Sequence, residues 1–179
     1  NLVITNCYFC NPAGDAVTYG KQFMSFHAVE NFKFENNYIT NLGTSMGTSA
    51  VELCIFYTIT GTFDFNNNVI NLYHESCNMW FGFTSNTATV MNFEGNTFNG
   101  KDGEGANGYM RIYSNMNPLV VNFIGNVFNN TTAETIQFVD NNEADSTLTA
   151  TFKYNVFNKA FYGKAAKNSS LSSRRLVNA

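Results

Sequence analysis

Apolar and polar positions recur along this chain in one short frame: an apolar residue, two spacers, Asn, one spacer, then a second apolar residue. The segments are ITNCYFCN from Ile4, FENNYITN from Phe34, FNNNVINL from Phe65, FEGNTFNG from Phe93, FIGNVFNN from Phe123 and FKYNVFNK from Phe152, spaced 28 to 31 residues apart. An interval of that size is the scale of solenoid repeats. Two apolar columns follow, Ile4, Phe34, Phe65, Phe93, Phe123 and Phe152 in one, Phe9, Ile39, Ile70, Phe98, Phe128 and Phe157 in the other. Around the first column the alternation, as in Phe63-Asp64-Phe65 and Val121-Asn122-Phe123, has the period of a strand. Between copies lies another strand-like stretch: FMSFHA (23–28), AVELCIFY (50–57), CNMWFGFTS (77–85), YMRIYS (109–114) and ETIQFVD (134–140). The pattern predicts an all-β solenoid: about six coils of roughly 30 residues, three strands per coil, stacked at about 4.8 Å so that like side chains lie on like.

Asn37, Asn68, Asn96, Asn126 and Asn155 form the polar column of the frame. They fall where one strand must bend into the next. Asn tolerates the left-handed backbone of such a bend. Its amide can also bond the coils on both sides, where an unpaired backbone group would cost about 1–3 kcal/mol. The column is therefore read as a structural ladder, with Cys7 at its place in the first copy.

A short Asn-marked bend between two strands of a three-strand coil resembles the pectate-lyase-like right-handed parallel β-helix superfamily. The resemblance covers nearly the whole chain, and the right hand agrees with the rule for parallel crossovers. It implies coils over residues 1–163 and, over 164–179, the start of a further coil or a C-terminal tail. Leu176-Val177-Asn178-Ala179 resembles Leu119-Val120-Val121-Asn122, and the first residue is Asn1 rather than Met, so the chain reads as part of a longer solenoid. Members of the superfamily include polysaccharide lyases and hydrolases, phage tailspikes and fibres, adhesins and structural proteins, so fold alone does not select a function.

Composition narrows the choice. Among 179 residues are 29 Asn and 18 Phe, and only 13% are charged. The net charge of −3, with a single basic pair at Arg174-Arg175, argues against nucleic acid. No apolar run is long enough to span a membrane. Cys7 and Cys10 make one C-x-x-C with no second pair at zinc spacing; all four cysteines, with Cys54 and Cys77, read as buried or half-buried thiols, and no disulfide between Cys54 and Cys77 is expected. Sequons at Asn129, Asn130 and Asn168 read as chance in so Asn-rich a chain.

Candidate chemistry is thin. The superfamily resemblance implies that a lyase would carry an acidic calcium cluster with a nearby base, in a groove on the third strands. There the polar or aromatic residues are His27, Glu52, Trp80, Arg111 and Gln137, with one base and one carboxylate separated by Trp80. Glu35, Asp64 and Glu94 are the outward carboxylates before the bend, and the simplest reading is a solvated face with a Lys33–Asp64 ion pair. His27 and His74 have no nucleophile placed beside them by any motif. Asp102 and Glu104, in a Gly-rich loop, are the candidate Ca²⁺ ligands although their spacing is not that of an EF-hand; no other cofactor is expected. The stronger signal is aromatic: Trp80, Tyr109 and Tyr113 beside Arg111, Gln137 and Glu52 make a candidate glycan-binding face, and the same rings can equally pack against another chain or a loop.

The sequence thus favours a non-catalytic rod of a cell-surface adhesin or virion fibre or tailspike, extracellular, presenting a glycan- or protein-binding face, with a surface polysaccharide or host glycan as partner and a homotrimer as one assembly left open. The alternative is a polysaccharide lyase or glycoside hydrolase with its active site partly outside this stretch.

Overall fold

The computed structural model describes residues 1–10, 22–42, 51–72, 79–83, 90–99, 110–114, 119–129, 136–140, 148–157, 163–167 and 171–176. In the third sheet, side chains are described only for residues 24–29 and 59. All regular structure among these residues is β. The first sheet joins Leu2–Thr5, Phe32–Glu35, Thr62–Asn66, Val90–Glu94, Leu119–Ile124 and Leu148–Lys153 in chain order. The second joins Tyr8–Cys10, Tyr38–Leu42, Val69–Leu72, Thr97–Asn99, Val127–Asn129 and Val156–Phe157. The third runs through Gln22–Val29, Val51–Ile59, Met79–Phe83, Met110–Ser114, Ile136–Asp140, Gly163–Lys167 and Leu171–Leu176. All pairings are parallel except the last, where Leu171–Leu176 turns back antiparallel on Gly163–Lys167. Parallel sheets with asparagine side chains bonded between strands are compatible with a parallel β-helix.

The registers put each apolar column into one row. Ile4, Phe34, Phe65, Phe93, Phe123 and Phe152 are successive partners in the first sheet. Phe9, Ile39, Ile70, Phe98, Phe128 and Phe157 are successive partners in the second. A further inward row, Phe32, Phe63, Met91 and Val121, runs beside the first. Strand alternation sends these residues to one face, and they are fully buried from Phe32 to Phe128. The rings stack along the rows: Phe34 on Phe65 at 5.0 Å, Phe93 on Phe123 at 4.9 Å, Phe123 on Phe152 at 5.1 Å, Phe98 on Phe128 at 4.9 Å. Phe65 and Phe93 instead tilt by 47° at 5.8 Å, across the shortest interval of the repeat. Each such contact contributes about 0.5–1.5 kcal/mol beyond area burial.

The asparagine column is a hydrogen-bonded ladder in the protein interior. Asn37, Asn68, Asn96 and Asn126 are at most 2% exposed. Asn96 shows the pattern. Its Nδ2 donates to the Phe65 carbonyl at 2.7 Å and to Asn126 Oδ1 at 3.0 Å, while its Oδ1 accepts the Asn68 backbone N–H at 2.9 Å. The same three links recur at Asn68 and Asn126, and Asn155 donates to the Phe123 carbonyl at 2.9 Å. Cys7 does hold the ladder position of the first copy. Its backbone N–H donates to Asn37 Oδ1 at 2.9 Å, and its thiol turns to its own Thr5 carbonyl at 3.3 Å.

One part of the expected bend is corrected. The left-handed residue is not the ladder asparagine but the one before it: Asn6, Asn36, Asn67 and Tyr154 have φ of 54° to 58°, and Gly95 and Gly125 have 64° and 65°. A single left-handed residue turns the chain. The next residue then keeps an ordinary backbone and points its amide inward to the neighbouring rungs. The expected Lys33–Asp64 ion pair is corrected too. Their Cα atoms are register partners, yet Lys33 Nζ lies 3.1 Å from Glu35 on its own strand. Asp64 accepts from Asn92 Nδ2 at 2.8 Å instead.

Two predictions follow from this geometry. Replacing Asn126 by Ala strands the buried Asn96 N–H and the Phe93 carbonyl, each costing about 1–3 kcal/mol. Asn126→Ala should therefore lose at least ~2 kcal/mol in urea unfolding, whereas Asn122→Ala, on the outward row, should lose under ~1 kcal/mol. Equal losses would contradict the ladder's energetic role. Tyr154 is left-handed and 87% exposed, so no packing offsets its strain. Tyr154→Gly should raise stability by about 1 kcal/mol in the same assay, because glycine adopts this backbone freely.

Candidate functional site

The third sheet brings four of the six candidate residues into one register row. Glu52 is the Cα partner of Trp80, Trp80 of Arg111, and Arg111 of Gln137. Gln22 extends the row on one side, Lys164 and then Arg175 on the other. Neighbouring strands lie about 4.8 Å apart, so Glu52 and Arg111 flank Trp80 at roughly 10 Å from each other along the backbone. A β-bulge between Glu52 and Cys54 shifts the register next to the row. Such bulges re-aim side chains locally. Tyr113 stands one row further along, opposite Gly82 and Val139. Tyr109 lies outside the described residues, as do the side chains of Glu52, Trp80, Arg111, Tyr113 and Gln137.

Lys164 and Arg175 were not legible as members of this row. They belong to the stretch after the sixth copy of the frame, where the repeat offers no alignment, and Arg175 arrives by an antiparallel strand. With them the row runs from a carboxylate at Glu52 to two cations at its far end. His27 is exposed on the neighbouring strand Gln22–Val29.

The first sheet carries the candidate carboxylates, and their arrangement speaks against paired acid–base chemistry. Glu35 and Glu94 share one row with Asn66 between them, about 9–10 Å apart along the backbone. Asn66 fills the gap: its Nδ2 donates to Glu35 Oε1 at 3.3 Å and its Oδ1 accepts the Glu94 N–H at 3.1 Å. Glu35 is also held by Lys33. Asp64 sits in the adjacent row and begins a chain of amides, with Asn92 donating to it and Asn122 donating to Asn92 Oδ1 at 2.9 Å.

These outward amides were missed as a group. A second outward row, on the second sheet, is built the same way: Asn129 donates to Asn99 at 3.0 Å, Asn99 to Asn71 at 2.7 Å, and Asn71 to the Tyr38 hydroxyl at 2.8 Å. The signal was present, since Asn recurs at Asn71, Asn99 and Asn129, one residue past the second apolar column.

Among the described residues no three His, Cys, Asp or Glu side chains gather at one point. Asp102 and Glu104 lie outside the described residues, and so does Cys77. Neither Cys7 nor Cys10 is in a disulfide; Cys7 is half-buried, but Cys10 is exposed, contrary to the reading of all cysteines as buried or half-buried. The reason is parity: Cys10 follows inward Phe9 and therefore faces out beside Thr40. No helix among the described residues is long and apolar enough to cross a membrane. No family model matches the chain, and no curated protein or solved structure matches it either.

Thiol reactivity should follow this placement. Cys10 should react rapidly with a disulfide reagent in the folded chain, and Cys7, donating to Thr5, should react at least tenfold more slowly. Mass mapping of partially labelled protein reads the two rates, and equal rates would contradict the assigned faces.

Proposed function

We propose that this chain is a rod of the pectate-lyase-like type. In that reading its three sheets are the faces of a right-handed parallel β-helix with three strands per coil and about six coils of roughly 30 residues. We further propose that the rod is non-catalytic and belongs to an extracellular adhesin or virion fibre, with the third-sheet face binding a surface polysaccharide or host glycan. The observation that carries the binding role is the register row Glu52–Trp80–Arg111–Gln137. It sets the only tryptophan of the chain between a carboxylate and a guanidinium, on backbone fixed by parallel pairing to both sides. Tryptophan and arginine are the residue types that dominate binding energy at contact sites. Strands hold them with little ordering cost on binding. The non-catalytic role is supported by two of the first-sheet carboxylates: Glu35 is bonded to Lys33 and Asn66, and Asp64 to Asn92, rather than poised as a pair.

The test is glycan-array binding followed by calorimetric titration of the strongest binder. Trp80→Ala and Arg111→Ala should each weaken binding by about 2 kcal/mol or more, with an unchanged unfolding midpoint. Unchanged affinity in both variants would remove the site. Shortened polysaccharide after incubation with the wild-type chain would overturn the non-catalytic role and point to a hydrolase or lyase.

A further inference from the structure

The outer face of the second sheet differs from the other two in its charge. Its six strands hold no Asp, Glu, Lys, Arg or His at all. The first sheet, built on the same repeat, carries Lys33, Glu35, Asp64, Glu94 and Lys153. The absence is not explained by burial, because alternate residues of the second sheet face outward. Tyr8 is 67% exposed, Tyr38 40% and Val156 56%.

Two parallel rows make up this face. One is largely apolar, with hydroxyls only on its tyrosines and Thr97: Tyr8, Tyr38, Val69, Thr97, Val127 and Val156 are successive register partners. The rings of Tyr8 and Tyr38 stack at 5.4 Å and 8°, which holds both upright. Desolvation, then the neighbouring Cys10 and Tyr38 side chains, raises the Tyr8 phenol above its ordinary value. The other row is the amide chain Asn129–Asn99–Asn71, tied to the first through the Tyr38 hydroxyl. Along the row Asn99 uses one N–H and one lone pair. A primary amide has two of each, so a donor and an acceptor remain for a partner outside the row.

We propose that this strip binds a neutral saccharide chain lying along the stacking direction. Each sugar unit combines C–H patches with hydroxyls, and the strip offers apolar side chains and amides side by side, repeated at every strand. Among the described residues, these strands offer no charge to pair with uronates, sulfates or phosphates. A second copy of the chain is a poorer occupant. Five strand spacings give a length of roughly 24 Å and two alternate positions a width of roughly 7 Å. The resulting area, on the order of 200 Å², is far below the ~800 Å² per partner of a stable protein interface. A single extended polymer fits that outline.

This site is separate from the third-sheet row, and one experiment distinguishes them. Affinity electrophoresis of the chain would be run in gels containing a soluble β-glucan, a mannan, a xylan or polygalacturonate. At least one neutral polymer should retard the wild-type chain, and polygalacturonate should not do so through this face. Tyr38→Ser and Asn99→Asp should each weaken that retardation at least tenfold, while Asn122→Ala, on the outward face of the first sheet, leaves it unchanged. Thr97→Lys, an outward substitution that leaves both bonded rows intact, serves if either variant has a lowered unfolding midpoint, and should weaken retardation equally. The proposal falls if no neutral polymer retards the wild type, if retardation survives these substitutions, or if only Trp80→Ala abolishes it. It also falls if sedimentation shows a dimer that Tyr38→Ser dissociates, which would make the face a contact between copies.

Discussion

The fold depends on satisfying backbone groups at a buried bend. Where the first sheet turns into the second, the carbonyls of Ile4, Phe34, Phe65, Phe93 and Phe123 face the interior and each receives an asparagine amide from the next rung. The same asparagine accepts a backbone N–H from the previous rung, so one side chain closes a donor and an acceptor that strand pairing leaves open. Everything around the bend is arranged to keep that amide in place. The phenylalanine rows on either side exclude solvent, which makes each bond costly to lose. The left-handed residue before the ladder sets its direction.

The surface follows from the same repeat. Inward positions are fixed by ring stacking, so outward positions are free to vary in chemistry while staying in register. The first sheet uses that freedom for a mixed face in which Lys33, Glu35, Asp64, Asn66, Asn92 and Asn122 bond one another. The second uses it for an uncharged strip. The third places Glu52, Trp80, Arg111 and Gln137 on one line. One scaffold thus presents three faces of different character, and binding roles for two of them are the proposals made above.

How much of this was legible varied by feature. The two apolar columns and the ladder could be read because side-chain identity repeats at a spacing that strand stacking preserves, and Phe93, Asn96 and Phe98 each fall in the row assigned. The left-handed residue was misplaced for a definable reason. In Asn36-Asn37 and Asn67-Asn68 both positions are asparagine, so composition does not separate the residue that turns from the residue that bonds. Gly95-Asn96 and Gly125-Asn126 do separate them, since glycine takes the strained position alone. Lys33 was assigned to Asp64 because register alone was considered. The choice between a partner across the sheet and Glu35 two residues along depends on what else Asp64 bonds, and Asn92 claims it.

The sequence by itself determined the β architecture, the core rows and the polar column, because a repeat makes each copy a witness for the others and because strand parity converts identity into direction. Tertiary structure alone decided which outward groups pair, that Tyr38 and Asn71 join two surface rows, and that Lys164 and Arg175 line up with Arg111 and Trp80. Those facts rest on side-chain reach and on an antiparallel return outside the repeat, and neither is encoded in residue spacing.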